Sequence, residues 1–139
     1  MSARRTRTVE ELPPQSPFSE TLGINFEICT PGEVVCRMLV TEEMANRNGV
    51  LHGGALMTLA DTAGGTAAFM NSGPEMSNAT VEAKTNFIRP VRVGDIATAR
   101  STPVHVGGTT QVFQVTLTRG DGKVVGITTQ THLLLSWKG

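Results

Sequence analysis

Aromatic side chains and excess charge are both scarce in this chain of 139 residues. It has no tyrosine, one tryptophan and five phenylalanines, which leaves few rings to stack on bases and argues against RNA binding. Twelve acidic residues balance twelve basic ones, so the chain has no positive surplus of the kind that nucleic acids and anionic membranes attract. We therefore expect neither nucleic acid nor a membrane as a partner.

Long apolar runs are also missing. The most apolar segment is interrupted by Asp61 and by Gly64-Gly65, and it lacks the run of about 20 apolar residues that a membrane-spanning helix needs. The basic N-terminus lacks the apolar region of a signal peptide. We predict a flexible N-terminal tail at residues 1–15 and a single domain at residues 16–139, because the length suits one hydrophobic core.

The sequence contains only two cysteines, Cys29 and Cys36, and they flank a Pro-Gly turn. Counting the hairpin register from that turn places Cys29 opposite Val34 and Cys36 opposite Glu27. The two thiols would not face each other, so no disulfide is expected. A second pair of ligands that could complete a zinc site is not nearby in the sequence. We expect reduced cysteines, no metal and a cytoplasmic protein.

Apolar periodicity predicts one long helix among antiparallel strands, in the order ββαββββ. The helix is expected at residues 53–70, where almost every side chain is apolar or small. Such a helix can be buried on every side only if a curved sheet wraps around it, so we predict an α+β fold. The predicted strands are residues 24–30, 33–40, 79–87, 95–105, 111–118 and 124–135.

Asp61 is the only acidic residue between Arg47 and Glu75, and it lies in the middle of the predicted helix. An ionised carboxylate that is buried without partners is costly, or it avoids the cost by taking up a proton. A stable fold must therefore either satisfy Asp61 or use it. We hypothesise that it is used in chemistry. The alternative is a structural aspartate that is hydrogen-bonded to Thr58 or Thr62 in the same helix.

Several short motifs occur at a characteristic spacing around this aspartate. They are Asn46, Gly49-Val50-Leu51-His52-Gly53-Gly54, Leu59-Ala60-Asp61, Asn86-Phe87-Ile88-Arg89-Pro90 and Gly94-Asp95. Together they resemble the hotdog-fold acyl-CoA thioesterases, and most closely the PaaI-type enzymes of phenylacetic acid degradation in the 4-hydroxybenzoyl-CoA thioesterase-like superfamily. The resemblance covers residues 16–135. It implies the hotdog fold, in which an antiparallel sheet wraps around a long central helix.

The start of the predicted helix suits thioester chemistry. Its glycines leave backbone N–H groups unpaired at the positive end of the helix dipole, so the Gly53 N–H can act as an oxyanion hole. Asp61 is the obvious base or nucleophile. Eight residues along a helix span about 12 Å, too far for one carbonyl to meet both groups of the same chain. We expect a site shared by two chains whose helices lie antiparallel across a two-fold axis.

The family resemblance implies a role for each motif residue. Gly53 N–H would polarise the thioester oxygen, and His52 and Asn46 would shape that end of the site. Asp61 and Thr80 would come from the other subunit, with Thr80 positioning a water. Asp61 could activate that water or attack the carbonyl directly. The alternatives are a structural histidine, a turn-forming Asn46 and an ordinary strand threonine.

Substrate contacts are predicted less specifically. The resemblance implies that Arg89 contacts the phosphates of coenzyme A, with Lys84 and Arg92 as weaker candidates. Each of these cations could equally be a solvated surface residue. The side chains expected either to line the acyl pocket or to belong to the core are Met57, Phe69 and Met70.

The function predicted from the sequence is hydrolysis of a small or aromatic acyl-CoA, similar to phenylacetyl-CoA, to the free acid and CoA. The substrate brings the coenzyme, so no separate cofactor is expected. At least a homodimer is required, and a homotetramer is typical of the proteins that the chain resembles. Two alternatives are a hydratase or dehydratase that uses His52 as its base, and an acyl-CoA-binding dimer without catalytic activity.

Overall fold

The computed structural model describes residues 6–136. Residues 1–5 of the predicted tail and residues 137–139 lie outside this range. Short 3₁₀ turns occur at Val9–Glu11 and Glu42–Met44. The helices and strands are α1 (Pro17–Thr21), β1 (Asn25–Thr30), β2 (Glu33–Leu39), α2 (Gly53–Met70), β3 (Met76–Phe87), β4 (Ile96–Val106), β5 (Thr110–Thr118) and β6 (Val124–Ser136).

One antiparallel sheet of six strands, in the order β1-β2-β4-β5-β6-β3, packs against helix α2. Successive side chains of a strand point to opposite faces, and on β5 this alternation buries Phe113, Val115 and Leu117 against the helix. The fold is α+β, and the order ββαββββ is confirmed. It is the hotdog arrangement that the sequence predicts.

Helix α2 has the predicted bounds and presents a face of small and apolar side chains to the sheet. Its buried residues include Leu56, Leu59, Ala60, Ala63 and Ala67. Because the alanine side chains are short, the helix axis can lie close to the strands. Among residues 6–136, no helix is long and apolar enough to cross a membrane.

The opposite face of α2 is only partly covered, and Asp61 on it is exposed in the single chain. The expectation that the helix is buried on every side is therefore wrong for one chain alone. The sheet covers one side of α2, and covering the remaining side requires other parts of the molecule.

Part of that cover comes from the N-terminal segment. The Arg7 N–H donates to the Met70 carbonyl at 2.9 Å, and its guanidinium donates to the carbonyls of Gly73 and Met76. The guanidinium carbon also lies 3.9 Å from the centre of the Phe69 ring. These contacts tie the segment around Arg7 to the end of α2. The flexible tail at residues 1–15 and the domain boundary at residue 16 both stay predictions.

The cysteine pairing differs from the predicted register by one residue. Cys29 lies opposite Val34 as expected, but Cys36 lies opposite Phe26 instead of Glu27. The cause is a β-bulge at Glu27, which adds a residue to β1. Both cysteines are free, and burial raises the pKa of Cys36 to about 12.

Candidate active site

The amino end of α2 presents an unpaired backbone N–H. The Gly54 N–H donates to Nδ1 of His52 at 2.8 Å, and the next two N–H groups donate to the His52 carbonyl. The Gly53 N–H has no hydrogen-bond acceptor among residues 6–136. It lies at the positive end of the helix dipole, where a developing negative charge is stabilised. A Cβ at position 53 would lie 3.1 Å from a ring carbon of Phe87.

His52 is the N-cap of α2, and its contacts define its tautomer. Because Nδ1 accepts the Gly54 N–H, a neutral ring carries its proton on Nε2. The His52 backbone N–H donates to the Met44 carbonyl at 2.8 Å, which fixes the backbone of the cap. The exposed ring can therefore donate a hydrogen bond outward, but it offers no free lone pair to a substrate proton.

Asn46 shapes the loop that leads to the helix. Its Oδ1 accepts the backbone N–H groups of Asn48 at 2.9 Å and Val50 at 3.3 Å, and the loop turns through Gly49 at φ 76°. The interpretation as a turn-former is therefore correct. Its position also places it in the same cavity as Gly53.

A cavity of about 360 Å³, which we call the Arg89 cavity, lies beside the amino end of α2. It brings together Asn46, Gly53 and Arg89 from three separate motifs. The exposed guanidinium of Arg89 donates to the Val124 carbonyl at 2.6 Å, which holds the side chain in place. The cavity is lined by Asn46, Val50, Leu51, Gly53, Leu56, Phe87, Ile88, Arg89, Pro90 and Val91.

The two weaker cation candidates lie in different places. Arg92 is exposed and forms an isolated β-bridge with Val50, a residue of the Arg89 cavity. Lys84 is exposed on β3, where strand alternation points it away from the face that carries Ala83 and Thr85. Lys84 is not among the residues that line the Arg89 cavity in the single chain.

Asp61 lies two turns along α2, and a side chain of the sheet holds its carboxylate in place. Its Oδ1 accepts a hydrogen bond from Nε2 of Gln130 on β6 at 2.8 Å. The hydroxyls of Thr58 and Thr62 instead donate to helix carbonyls, those of Gly54 and Thr58. The alternative of an aspartate bonded to these threonines is therefore wrong.

Gln130 continues into a chain of polar groups that the sequence interpretation missed. Its Oε1 lies 3.1 Å from Nε2 of His132, and Nδ1 of His132 lies 3.4 Å from the hydroxyl of Thr80. Gln130 and His132 are fully buried. Burial lowers the pKa of His132, against a smaller opposing effect of the Asp61 charge. The only signal in the sequence was a run of polar residues at alternate positions of β6, Thr128, Gln130 and His132, all of which are buried.

Two further cavities meet at Asp61. The first, of about 330 Å³, lies under the N-terminal segment, and we call it the Phe69 cavity. The second, of about 340 Å³, includes Met57 and lies between α2 and β3. Met70 lines neither of them and is 1% exposed in the core, which agrees with the second alternative stated for this residue, a place in the core. The Phe69 cavity is lined by Leu12, Pro13, Pro14, Gln15, Ser16, Ser19, Phe26, Asp61, Thr62, Gly65, Thr66 and Phe69.

The single chain does not bring Asp61 and Gly53 together. They lie eight residues apart on one continuous helix, which separates them by about 12 Å along its axis, and they line different cavities. Within residues 6–136, no cluster of three or more His, Cys, Asp or Glu side chains could hold a metal ion. The expected absence of metal and cofactor in the reaction stays a prediction.

Comparison with known proteins identifies the family. The thioesterase superfamily profile matches residues 48–126. The acyl-coenzyme A thioesterase PaaI of Escherichia coli is 30% identical over 109 residues, covering 78% of this chain and 76% of that protein. A 1,4-dihydroxy-2-naphthoyl-CoA hydrolase of Listeria monocytogenes is 30% identical over 110 residues, covering 79% of this chain and 89% of that protein.

The fold comparison agrees with the sequence comparison. A thioesterase structure from Haemophilus influenzae superposes with a TM-score of 0.87 at 27% identity, covering 98% of this chain and 96% of that chain. The matched region contains the His52-Gly53 helix start and Asp61, the residues that the resemblance singles out. The chain belongs to the thioesterase superfamily, as a PaaI-type hotdog protein, and is a thioester hydrolase.

Proposed function

We propose that the protein hydrolyses a small or aromatic acyl-CoA, similar to phenylacetyl-CoA, to the free acid and CoA. Asp61 of one subunit supplies the carboxylate, and the Gly53 N–H of a second copy polarises the thioester oxygen. The observation that carries this proposal is an exposed carboxylate, oriented by Gln130, on the same helix as an unpaired N–H. These are the two groups that acyl transfer to water needs.

Strand β3 supports a site shared between two copies. It is an edge of the sheet, pairs with β6 on one side, and carries exposed apolar residues such as Val81 and Phe87. A long exposed edge is a template for pairing with another chain. Two β3 strands paired about a two-fold axis would set two α2 helices side by side and antiparallel, with the amino end of each near Asp61 of the other. A tetramer would add a second such dimer.

The chemistry can follow either of two routes. In the first, Asp61 takes a proton from a water positioned by Thr80, and the hydroxide attacks the carbonyl carbon. In the second, Asp61 attacks the carbon itself and water later hydrolyses the anhydride. Both routes build negative charge on the carbonyl oxygen, which the Gly53 N–H stabilises before the C–S bond breaks and CoA leaves.

The Phe69 cavity and the Arg89 cavity bind different parts of the substrate. The Phe69 cavity adjoins Asp61 and is walled by Leu12, Phe26 and Phe69, so it suits an apolar or aromatic acyl group. The Arg89 cavity adjoins Gly53 and carries a cation suited to CoA phosphates. In the proposed dimer, the thioester lies between the Phe69 cavity of one copy and the Arg89 cavity of the other.

The dehydratase alternative finds no support at His52. A base that removes a proton from the acyl chain needs a free lone pair within hydrogen-bond reach. Nδ1 of His52 is occupied by the Gly54 N–H, so its neutral ring presents a donor. A donor fits a role in orienting the substrate.

Free-thiol release tests the proposal directly. We would compare the wild type with Asp61→Asn on phenylacetyl-, hydroxyphenylacetyl-, benzoyl- and medium-chain acyl-CoA. The control is Glu27→Gln, which makes the same carboxylate-to-amide change on β1, at the opposite edge of the sheet. We expect Asp61→Asn to lose about a hundredfold or more in kcat and Glu27→Gln to match the wild type. Equal rates in all three would remove Asp61 from the reaction, and CoA-ester binding without thiol release would favour the non-catalytic alternative.

A further inference from the structure

Strand β6 places two polar side chains in the interior of the protein. Gln130 and His132 are both 0% exposed, although burying polar groups costs free energy unless they are hydrogen-bonded. Together they connect Asp61 on α2 to Thr80 on β3. The two residues at the ends of this hydrogen-bonded series, Asp61 and Thr80, both have a role in the proposed reaction.

The donor and acceptor groups of these side chains fix the direction of every hydrogen bond in the series. A carboxylate only accepts, so Gln130 must present its amide nitrogen to Asp61 and its oxygen to His132. That oxygen also only accepts, so His132 carries its proton on Nε2. Nδ1 is then an acceptor for the Thr80 hydroxyl proton. A neutral His132 meets this requirement, and its burial favours the neutral form.

Packing around the chain allows Gln130 few other positions. A Cβ at position 64 of α2 would overlap Oε1 of Gln130, so only a glycine lets the helix approach β6 at this point. The ring of His132 makes an edge contact with Phe113, with 5.9 Å between the ring centres and an interplanar angle of 76°. Packing against Gly64 and Phe113 thus restricts the positions of the Gln130 and His132 side chains.

We propose that Gln130 is the positioning residue for Asp61, and that His132 fixes the orientation of the Gln130 amide. Gln130 does not touch the substrate in this account. It holds one carboxylate oxygen, so that the other faces the thioester or the attacking water. Thr80 donates its proton inward to His132, which leaves its lone pairs to accept a hydrogen bond from that water. This inference rests on the proposed function, because it assigns a purpose to the orientation of Asp61.

A matched pair of substitutions tests the inference. Gln130→Met keeps the length of the side chain but removes both hydrogen bonds. Gln111→Met makes the same change at another fully buried glutamine, directly across from His132 on β5. Its side chain donates to the Asn71 carbonyl and, within residues 6–136, forms no hydrogen bond with Asp61, Gln130 or His132. Rates are expressed per folded dimer, measured by circular dichroism and sedimentation.

We expect Gln130→Met to lower kcat at least tenfold with KM within about twofold, because misplacing a reacting group affects the chemical step. Gln111→Met should retain kcat even if its melting temperature falls. The variant His132→Leu should lower kcat less than Gln130→Met. Without His132, the side-chain amide of Gln130 can flip, but it can still donate to Asp61. The double variant should be no slower than Gln130→Met alone, because the two residues act in series.

Two results would overturn the inference. If kcat of Gln130→Met lies within twofold of that of Gln111→Met, Gln130 does not position Asp61. If losses from Gln130→Met and His132→Leu multiply, the two residues act independently. Failure of Gln130→Met to fold leaves His132→Leu, whose unchanged kcat would also reject the account. Full activity of Asp61→Asn is a different result, which rejects the proposed function itself.

Discussion

Burial lowers the pKa of His132 below its ordinary value of 6.5, and this shift couples the free energy of unfolding to pH. As pH falls below about 6.5, the ring takes up a proton in the unfolded chain but not in the folded one. The unfolded state then binds more protons, so stability present above 6.5 is lost as pH falls toward the lower folded pKa.

The prediction concerns the slope of stability against pH. We expect the free energy of unfolding, from urea titrations between pH 7.5 and 5, to decline less steeply in His132→Leu than in the wild type. His52 and His105 are present in both proteins and serve as an internal constant. Parallel slopes in the two proteins would show that His132 titrates normally in the fold.

The sequence singled out some residues of the candidate site and missed others for a physical reason. Asp61 and Gly53 could be identified because a carboxylate and a glycine pair are unusual in one apolar helix. Gln130 and His132 could not, because their importance depends on which helix residue lies above them, and single-sequence patterns do not contain that distance. The choice between pocket and core stayed open for Met70, because helical spacing alone does not say which face meets the sheet.

Helix α2 and strand β6 meet closely where Gly64 lies over Gln130. Gly65, one residue further, has open space around its Cα. In a helix interior, alanine is more favourable than glycine by about 1 kcal/mol. We expect Gly65→Ala to raise the free energy of unfolding by up to about 1 kcal/mol, whereas Gly64→Ala displaces the Gln130 amide and lowers it by about 1–2 kcal/mol.

Denaturant unfolding of the two alanine variants measures this difference directly. The pair makes the same chemical change on neighbouring residues of one helix, so helix propensity cancels in the comparison. Equal stability of Gly64→Ala and Gly65→Ala would mean that Gln130 is not held tightly against the helix.

At the level of elements, apolar periodicity sufficed for the order of the helix and strands along the chain but not for every boundary. Strand β3 begins at Met76, three residues before the predicted start, because Met76, Ser77 and Asn78 pair with the end of β6. Tertiary pairing here overrides weak strand propensity. The contacts of Arg7 were also beyond prediction, since they join it to backbone carbonyls more than 60 residues away.

For the whole molecule, the central claim is that one active site needs two copies of the chain. The Gly53 N–H can be removed selectively, because Gly53 is the first residue of α2 and proline is well tolerated at that position. The preceding His52 has an extended backbone, φ −62° and ψ 135°, which proline accepts. Gly53→Ala is the matched control, since it adds a Cβ near Phe87 but keeps the N–H.

We expect Gly53→Pro to lose about a hundredfold in kcat, and Gly53→Ala to lose much less. In a mixed dimer of Gly53→Pro and Asp61→Asn, one site would carry both lesions, but the other would combine an intact Asp61 with an intact Gly53. A site contained in one chain would instead carry one lesion in each copy.

The most direct measurement is therefore thiol release by this mixed dimer, purified through different tags on the two chains. A shared site predicts about half of the wild-type activity, although both parent variants are nearly inactive. Activity of a folded mixed dimer that stays at the level of its parents would contradict the shared site.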